Sequence, residues 1–334
     1  MSATLKDVAE ACGMSVRTVR RVLDNAECVK AGTRERISAA ARELGYAPNI
    51  AARNLRMGKK PFIGLVSGSA GNESFVRRRM DLVTRLNKAG YETIIAAPPA
   101  NADEARRMLS RWTGITDTVI WQHEPPEGLL DLMDEIRQRF ILIDTDIRAE
   151  KCCSLSMDRL KGIREALESL KKSGRHRIMR CGGIISRDEA FLEAFPETDV
   201  FAPDFFIRLK DLNFEGGYRE AAEKIVKSGA DAVFFDVDRI AYGFLLYAYE
   251  HGIRIPEDIA VIGFDDDTFS RFSCPPLSSV AHPITEMNRK IVELIRSGTP
   301  ESGIWTFSTS FVERASSAPR TQTYKKPTFT RRKK

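Results

Sequence analysis

The sequence predicts an α/β protein in which a small all-helical amino-terminal module precedes a larger body of two doubly wound parallel sheets. The chain has 334 residues, which is too many for one ordinary domain. Apolar residues recur at helical spacing up to about residue 45, whereas from Phe62 onward short apolar runs alternate with helical stretches. Hydrophobic residues make up 43% and charged residues 29%, so the composition is globular and disordered or collagen-like classes are excluded.

Positive charge is concentrated at the two ends of the chain. Residues 1–60 contain 12 Lys and Arg against 6 Asp and Glu, and residues 320–334 contain 7 against none. Residues 61–319 contain 33 basic and 40 acidic residues. Because a cationic module on an acidic body attracts polyanions, we expect a polyanion partner for the amino-terminal module.

Several classes of protein are excluded by what the sequence lacks. No apolar run approaches the roughly 18 to 20 residues of a membrane-spanning helix, and the amino terminus lacks the apolar stretch of a secretory signal, so we expect a cytoplasmic protein without a membrane partner. The six cysteines form no CxxC pair and only four histidines are present, so we expect buried free thiols, no metal and no cofactor.

A very short turn separates the first two predicted helices. Thr4 with Asp7 three positions later resembles a capping box, and the first helix then ends at Gly13. Ser15 and Thr18 offer a cap for the second helix. A three-residue turn is the spacing of a helix-turn-helix, which leaves the amino-terminal half of the second helix free to enter the major groove of DNA.

The second and third predicted helices each have one apolar side. On the second helix Val19 and Val22 share a side that excludes the arginines. The third helix is expected to begin after Thr33 and to stop at Gly45. Its expected packing residues are Ile37, Ala40, Ala41 and Leu44.

These features occur together in TLKDVAEACGMSVRTVRRVLDNAECVKAGTRERISAAARELGYAPNIAARNL, which runs from Thr4 to Leu55. The DVA, SxxTVxRVL, TRERI and GYxPNxxARxL patterns in this segment resemble, without a gap, the headpiece of the lactose/galactose repressor (LacI/GalR) family of bacterial transcription regulators. The resemblance implies a DNA-binding headpiece over residues 1–48 and a hinge helix with its linker over residues 49–60.

The resemblance also implies which residues touch DNA. A valine at the start of the recognition helix offers apolar contact to a thymine methyl, and an arginine donates two hydrogen bonds to guanine. The implied base contacts are Val16, Arg17, Arg20 and Arg21, and the implied phosphate contacts are Ser15, Thr18, Asn25, Thr33 and Asn49. Arg20 stands where the family has serine and Asp24 where it has asparagine, so these two either pair on the helix surface or alter specificity.

Residues 49–57 are too few to form a stable isolated helix, so we expect this segment to be disordered until something holds it. In the resembling family it forms a hinge helix on DNA and wedges a leucine into the minor groove. The residues implied here are Ala52, Arg53 and Leu55, although Leu55 has the alternative of packing on the body.

The body, residues 61–315, is predicted to form two lobes of about nine strands in all. Alternating strands and helices favour parallel sheets with right-handed crossovers. The chain is expected to enter the second lobe near residues 158–162 and to return near residues 286–290. The first lobe is therefore expected at about residues 61–160 with 290–315, and the second at about residues 161–289. The basic tail, residues 316–334, is expected to be disordered and to add nonspecific attraction to DNA.

Open parallel sheets bind ligands at the carboxyl ends of their strands, so a ligand cleft is expected between the lobes. No GxGxxG, GxxxxGK[ST] or GxSxG motif lies where it would be needed, and no catalytic triad is evident, so we do not expect an enzyme. The stretch GIRIPEDIAVIGFDDDTFSRFSCPPLSSVAHP resembles the effector domain of the same family, which is similar to periplasmic sugar-binding proteins.

This second resemblance implies a set of effector-binding residues. Arg187 and Asp265 suit a polyhydroxylated or anionic ligand, because each makes paired bonds to adjacent oxygens. Asp265 has the alternative of capping the following turn, and Trp121 either stacks on a sugar or packs in the core. The full implied set is Gly68, Phe75, Trp121, Asp144, Arg187, Asp265 and His282. Val237 and Asp81 replace the asparagine and glycine usual in the family, so the ligand need not be an ordinary sugar.

Together these features predict a homodimeric DNA-binding regulator, with repression the commoner outcome in the family, whose binding to a palindromic operator is controlled by a sugar-like or anionic effector. Inducer and corepressor roles are equally allowed. The alternatives are a regulator indifferent to ligand, a solute-binding protein and an enzyme that uses the cleft.

Overall fold

The computed structural model describes residues 3–23, 29–46, 62–68, 73–122, 125–145, 147, 152–194, 206–298 and 302–318. The chain divides into two compact units, Met1–Pro61 and Phe62–Lys334. The first is helical, and the second contains two parallel-dominated sheets. This composition confirms the predicted fold class.

The helical unit contains α1 (Leu5–Cys12), α2 (Val16–Leu23) and α3 (Ala31–Glu43). Thr4 and Asp7 form the predicted capping box at α1, and Gly13 ends that helix with φ 64°, a left-handed conformation that glycine adopts without strain. The predicted start of the third helix is wrong. It begins two residues before Thr33, because the carbonyl of Lys30 accepts the Thr33 N–H and no side-chain cap is needed.

One small apolar cluster joins the three helices. Each helix contributes the side that faces the other two, and the predicted spacing of these residues matches the observed packing. The buried members are Val8, Ala9, Cys12, Val19, Val22, Ile37, Ala40 and Ala41. Leu44 was predicted among the packing residues but is exposed, because it follows the last residue of α3 and lies outside the apolar cluster.

The first lobe of the larger unit is a six-stranded sheet covered by helices. The strands are β1 (Phe62–Ser67), β2 (Glu92–Ala96), β3 (Thr116–Gln122), β4 (Arg139–Ile143), β5 (Cys152–Asp158) and β11 (Gly303–Ser308). Their order is β11-β5-β4-β3-β1-β2, and every pairing is parallel. The helices are α4 (Glu73–Lys88), α5 (Ala102–Trp112), α6 (Leu129–Glu135) and α11 (Ile284–Ser297).

The second lobe repeats this arrangement. Its strands are β6 (Ile178–Gly182), β7 (Phe206–Arg208), β8 (Ala232–Phe235), β9 (Ala260–Asp265), β10 (Ser278–Ala281) and β12 (Ser310–Val312). Their order is β12-β10-β9-β8-β6-β7, and only the β10–β12 pairing is antiparallel. Its helices are α7 (Leu160–Lys172), α8 (Ile185–Ala194), α9 (Ala222–Ser228) and α10 (Asp238–Glu250). A π-helical turn, Gly216–Ala221, precedes α9, and a 3₁₀ turn, Thr268–Arg271, follows β9.

Three short connections join the lobes, after β5, after β10 and after β11. Thr309 ties two of them together, because its N–H and its hydroxyl both donate to the Asp158 carbonyl, at 2.9 and 3.0 Å. The same hydroxyl accepts the Gly162 N–H at 3.2 Å, and a Cβ at Gly162 would lie 2.6 Å from Thr309 Oγ1. A glycine is therefore required for this close approach.

The predicted lobe boundaries need two corrections. The helix that returns to the first lobe begins at Ile284, and β12 pairs with the second sheet rather than completing the first lobe to residue 315. The prediction of about nine strands is also too low for the described part of the chain, which contains twelve. β5, with the sequence CCSLSMD, was not predicted because a buried parallel strand usually has a continuous apolar run, whereas this one contains small polar residues.

Four of the predicted buried thiols, at Cys12, Cys152, Cys153 and Cys181, are buried and free, whereas Cys274 is exposed. Cys28 lies outside the described residues. Within the described ranges no group of three or more His, Cys, Asp or Glu side chains is arranged to hold a metal ion. No helix in that same part of the chain is long and apolar enough to cross a membrane.

Candidate functional site

The outer side of α2 is a cationic surface. Val19 and Val22 face the core of the helical unit, whereas Arg17 and Arg20 are exposed on the opposite side. Val16, at the start of the helix, is 37% exposed. The four predicted base-contact positions, Val16, Arg17, Arg20 and Arg21, all lie on the exposed part of the helix. This helix therefore presents both apolar and guanidinium groups to solvent.

Capping groups hold the start of α2 in place. Ser15 Oγ accepts the Thr18 N–H at 3.1 Å and lies 2.8 Å from Thr18 Oγ1. Arg36 Nη2 donates to the Cys12 carbonyl at 3.1 Å and so ties α3 to the end of α1, next to the turn. Thr33 lies in the first turn of α3 and is half-buried. The predicted DNA contacts Asn25, Asn49, Ala52, Arg53 and Leu55 lie outside the described residues, as do Asp24 and most of the basic tail.

A cavity of about 150 Å³ lies within the larger unit, where the carboxyl ends of strands from both sheets meet. The first lobe contributes α4 and the residues after β4 and β5. The second lobe contributes the last residue of β9 and the residues after β6, β8 and β10. The lining residues are Ser74, Phe75, Arg78, Asp144, Arg159, Ile184, Arg187, Val237, Asp265 and His282. The structure thus brings together five of the predicted effector residues, Phe75, Asp144, Arg187, Asp265 and His282.

Asp265 is the centre of the hydrogen bonding in this cavity. Its Oδ1 accepts from Arg187 Nη2 and from His282 Nε2, each at 2.9 Å. Burial opposes ionisation of this carboxyl, but the Arg187 guanidinium and His282 outweigh that effect and lower the pKa of Asp265. Asp265 is therefore a buried carboxylate at neutral pH, and it holds Arg187 and His282 from two other segments in fixed positions.

His282 is held as a neutral donor. Its burial lowers the pKa of the imidazole, the hydrogen bond to Asp265 opposes that shift, and Arg78 reinforces it. A neutral imidazole that donates through Nε2 to a carboxylate has its lone pair on Nδ1, which lies 3.1 Å from Met157 Sδ. His282 therefore adds no positive charge to the cavity at neutral pH.

Two cavity residues on the first lobe form an ion pair. Asp144 follows β4 with φ 69°, a conformation uncommon outside glycine, and Arg159 Nη2 donates to its carboxylate. Arg159 follows β5 directly, and it was not predicted to line the cavity because β5 itself was not predicted. Ser74, Arg78 and Ile184 were missed as well, although the spacing of Ser74, Phe75 and Arg78 places them on one side of α4.

Two predicted effector residues do not line the cavity. Trp121 is fully buried in an apolar cluster with Leu109, Leu129 and Phe140, so the core-packing alternative is correct and the stacking role is wrong. Gly68 follows β1, and its carbonyl accepts from Arg79 at 3.4 Å. Val237, which replaces the asparagine usual in the family, lines the cavity with an apolar surface.

The other departure, Asp81, does not line the cavity. It accepts from Arg85 Nε at 2.7 Å and from Asn288 Nδ2 at 2.8 Å, which links α4 to α11. Its replacement of the usual glycine therefore serves helix packing within the first lobe.

A buried acidic network lies beneath Asp265. Asp238 accepts hydrogen bonds from the hydroxyls of Ser270 and Ser279, both at 2.7 Å, and from the Asp267 N–H at 2.8 Å. Complete burial, together with the charge of Asp265, raises the pKa of Asp238 well above its usual value. Burial and Asp265 also raise the pKa of Asp267, to about 7.

The two lobes touch beside the cavity. Arg77 of α4 donates to the carbonyls of Asp265 and Asp266, at 3.1 and 2.6 Å, and the Thr268 N–H donates to Glu73 Oε1 at 3.0 Å. All of these bonds join the first half of α4 to the end of β9 and the segment that follows it. A change in the angle between the lobes would therefore break contacts next to the cavity.

Two stretches of the chain match known families. Residues 4–49 match the family described as bacterial regulatory proteins, lacI family, and residues 167–317 match the periplasmic binding protein-like domain. The HTH-type transcriptional regulator DegA of Bacillus subtilis (strain 168) is 27% identical over 306 residues, which are 86% of this chain and 88% of DegA. The HTH-type transcriptional repressor PurR of Serratia proteamaculans (strain 568) is 28% identical over 332 residues, which are 95% of this chain and 97% of PurR.

Solved structures share the fold. The crystal structure of the Lac repressor dimer bound to operator and the anti-inducer ONPF has a TM-score of 0.78 at 21% identity, covering 96% of this chain and 100% of that one. The complex of the transcriptional regulator CelR with cellobiose has a TM-score of 0.64 at 24% identity, covering 94% and 99%. The chain therefore matches the lacI family of bacterial regulatory proteins over residues 4–49 and a periplasmic binding protein-like domain over residues 167–317, and it is similar along most of its length to proteins named as transcriptional regulators.

Proposed function

We propose that this protein is a homodimeric transcriptional repressor that acts in the cytoplasm, binds operator DNA through α2 and is controlled by a small molecule in the cavity. The observation that carries the proposal is the exposed side of α2, on which Val16, Arg17 and Arg20 face solvent while the opposite side is buried. Relatives that carry the name of repressor, and a solved relative described as a dimer bound to operator, support it.

Within this proposal the residues of α2 have distinct roles. Val16 and Arg17 read base edges, because a branched apolar group contacts the thymine methyl and a guanidinium donates two bonds to guanine. Arg20 and Arg21 add charge at the groove. Ser15, Thr18 and Thr33 hold phosphates, which position the module without reading sequence. Asn25, Asn49, Ala52, Arg53 and Leu55 complete the contacts from the segments outside the described residues.

The test of this function is selection of DNA sequences by the full chain from random duplexes, followed by binding measurements on the selected site. Arg17→Ala is expected to weaken binding to that site by about 1–3 kcal/mol and to relax the preference at one base pair of each half-site. Arg42, an exposed arginine on α3, supplies the control, because Arg42→Ala removes the same charge away from the proposed interface. A wild-type chain that prefers no duplex over random DNA would refute the proposal.

Control by ligand follows from the position of the cavity between the lobes. A ligand that contacts residues of both lobes binds one interlobe angle better than another, and this differential affinity is sufficient to shift a two-state equilibrium. The Arg77 and Glu73 contacts, which join the lobes beside the cavity, respond to that angle. We propose that this shift changes the affinity of the paired helical units for DNA.

We propose that a second copy of the chain covers an apolar groove of the second lobe. The groove, about 510 Å³, lies between α10 and the segment after β9. Tyr249, Phe269 and Phe272 on its rim are 80%, 65% and 73% exposed, which is unusual for a cluster of large aromatic groups. Burying such groups in a self-complementary contact stabilises a two-fold dimer, the symmetry that a palindromic operator requires.

Phe272→Glu places a charge in that groove and is expected to convert the dimer to monomer in sedimentation equilibrium, because a buried unpaired carboxylate is strongly unfavourable. Leu192→Glu is the matched control, since Leu192 on α8 is 63% exposed outside the groove. A dimer that survives Phe272→Glu, or that is lost equally in Leu192→Glu, would exclude this surface.

A further inference from the structure

The charges that line the cavity do not balance. Three guanidiniums, those of Arg78, Arg159 and Arg187, face two carboxylates, those of Asp144 and Asp265. His282 adds no charge when neutral, and its pKa is lowered by burial. The cavity thus carries an excess of one positive charge at neutral pH.

Both cavity carboxylates are already engaged by groups other than Arg78. Asp144 accepts from Arg159, and Asp265 accepts from Arg187 and His282. These acids attract Arg78 at a distance, but neither forms an ion pair with it within the described residues. The excess charge is therefore located at Arg78.

Arg78 is almost completely buried, with 2% of its surface exposed. Its Nε and Nη1 have no hydrogen-bond partner within the part of the chain that the structure describes. The ring centre of Phe75 lies 5.4 Å from its guanidinium carbon. Burial lowers the pKa of Arg78, and a buried charge without hydrogen-bond partners is unfavourable.

Arg187 presents a second incomplete guanidinium to the same cavity. Its Nη2 donates to Asp265, whereas its Nε and Nη1 are buried with no hydrogen-bond partner in the described ranges. The ring of Phe264 supports it from one side, with its centre 3.8 Å from the guanidinium carbon. Two buried guanidiniums, one on each lobe, thus retain donors that the protein itself does not satisfy.

We propose that the effector of this protein carries an oxyanion, a carboxylate or a phosphate group, that accepts hydrogen bonds from Arg78 of the first lobe and Arg187 of the second. This inference rests on the proposed effector role of the cavity and specifies the ligand class. Guanidiniums bind planar carboxylates and phosphates through paired hydrogen bonds, and these are stronger when charge-assisted. One anionic group bound by both lobes also supplies the differential contact that favours a single interlobe angle.

The remaining lining and the size of the cavity limit the rest of the ligand. Phe75, Ile184 and Val237 offer apolar surface, so only part of the cavity is polar. A volume of about 150 Å³ is below the roughly 300–1,000 Å³ of sites for drug-sized ligands. We therefore infer a compact anionic metabolite.

The experiment compares matched anionic and uncharged probes on the full-length protein, by thermal shift and calorimetry. The pairs are D-gluconate with D-glucose for the carboxylate arm, and glycerol 3-phosphate with glycerol for the phosphate arm, with acetate and inorganic phosphate alone as minimal anions. We expect the anionic member of at least one pair to raise Tm with concentration while its uncharged partner does not. The arm that responds identifies the oxyanion.

Three variants assign that binding to Arg78. Arg78→Met is expected to weaken binding of the responding anion at least tenfold, as loss of a charge-assisted hydrogen bond does, and Arg78→Lys is expected to retain part of it. Arg85→Met is the control, because Arg85 lies on the same helix in a partly exposed pair with Asp81. Without ligand, Arg78→Met is expected to leave Tm unchanged or higher, since an unsatisfied buried charge has been removed.

Two results with the probes would overturn the inference: no anion binds, or the uncharged partners bind as tightly as the anions. Two results with the variant would also overturn it: Arg78→Met binds the anion as tightly as wild type, or Arg78→Met without ligand has a lower Tm than wild type. The last result would mean that the protein itself already satisfies Arg78. DNA binding by the wild-type chain without a probe is measured in the same preparation. A chain that binds its selected DNA but prefers no anion refutes only this inference, and a chain that selects no DNA refutes the proposed function.

Discussion

The arginines of α2 and the arginines of the cavity have the same guanidinium group but opposite surroundings. Arg17 and Arg20 are exposed on a helix of the small unit, whereas Arg78 and Arg187 are buried in the larger one. A hydrated guanidinium adds little to folding free energy and remains available to a partner. A buried guanidinium needs a carboxylate, an aromatic face or a ligand, so its neighbours must be positioned around it. If the proposed roles are correct, Arg17 and Arg20 bind DNA without contributing to folding stability, whereas ligand binding and folding stability are coupled at Arg78 and Arg187.

Backbone geometry differs between the two regions in the same sense. In the described part of the helical unit, positive φ occurs only at glycines, Gly13 and Gly45. Beside the cavity it occurs at three aspartates, Asp144, Asp265 and Asp266, with φ of 69°, 112° and 48°. Such conformations persist in non-glycine residues when surrounding contacts fix them. Residues beside the cavity therefore adopt backbone conformations that their side chains disfavour, whereas in the described part of the helical unit only glycines have positive φ.

The largest expected effect is that of Asp265→Ala on the stability of the body. It leaves Arg187 and His282 buried without their shared acceptor, and breaking one side of a buried ion pair costs about 3–5 kcal/mol. Urea unfolding of the body measures this loss. Glu135→Ala, which breaks an exposed pair with Arg106, should change little by comparison. An equal decrease in the free energy of unfolding in both variants would show that burial does not determine the stability contributed by these ion pairs.

The next effect is on the pH dependence of stability. The folded-state pKa of Asp267 is raised to about 7, so its folded form holds a proton that the unfolded chain releases from about pH 4 upward. Its contribution to stability therefore falls as pH rises from about 4 to 7, by at most about 1.4 kcal/mol per pH unit, and Asp267→Asn removes that fall. The stability gained by Asp267→Asn over wild type should be larger at pH 8 than at pH 5 in urea titrations.

Asp258 provides the opposite case for the same measurement. The hydrogen bonds from Arg254 lower the pKa of this exposed acid to about 2. The stabilisation of the fold by ionised Asp258 is therefore complete above about pH 4 and is lost as pH falls toward 2. Asp258→Asn should therefore reduce stability at neutral pH and not at pH 2. If Asp258→Asn and Asp267→Asn shift the pH profile in the same direction, burial is not what distinguishes the two acids.

The smallest effect separates the two sides of α2. Val19→Ala removes two buried methylene equivalents and is expected to destabilise the helical unit by about 1.5 kcal/mol, measured by thermal unfolding followed by circular dichroism. Val16→Ala, on the exposed side, should leave stability nearly unchanged and alter base preference instead. Loss of stability in Val16→Ala comparable to that in Val19→Ala would place Val16 in the core and argue against its proposed contact with bases.

The sequence predicted the local features of the helical unit well because each depends on neighbours a few residues apart. The capping box at Thr4, the end of α1 at Gly13 and the inward side of α2 all follow from short spacings. The predicted start of α3 was wrong because the Lys30 carbonyl accepts the Thr33 N–H and the helix already begins at Ala31. β5 was missed because its burial depends on tertiary packing rather than on its own residue types, and its pairing with β11 joins segments far apart in the chain. Arg159, which follows β5, was missed with it.

By itself the sequence determined the helical character of the first unit, the alternation of strands and helices in the second, the cationic side of α2 and the residue types placed at strand ends, since these follow from spacing, capping and side-chain chemistry along a few turns. Only the tertiary structure decided that Arg187, Asp265 and His282 share one hydrogen-bonded group while Nε and Nη1 of Arg78, from the other lobe, are buried without a hydrogen-bond partner in the described residues. It also decided that Trp121 belongs to the core and that the last strand returns to the second sheet. The physical reason is that burial and ion pairing depend on what the fold brings close, and segments more than a hundred residues apart meet at this cavity.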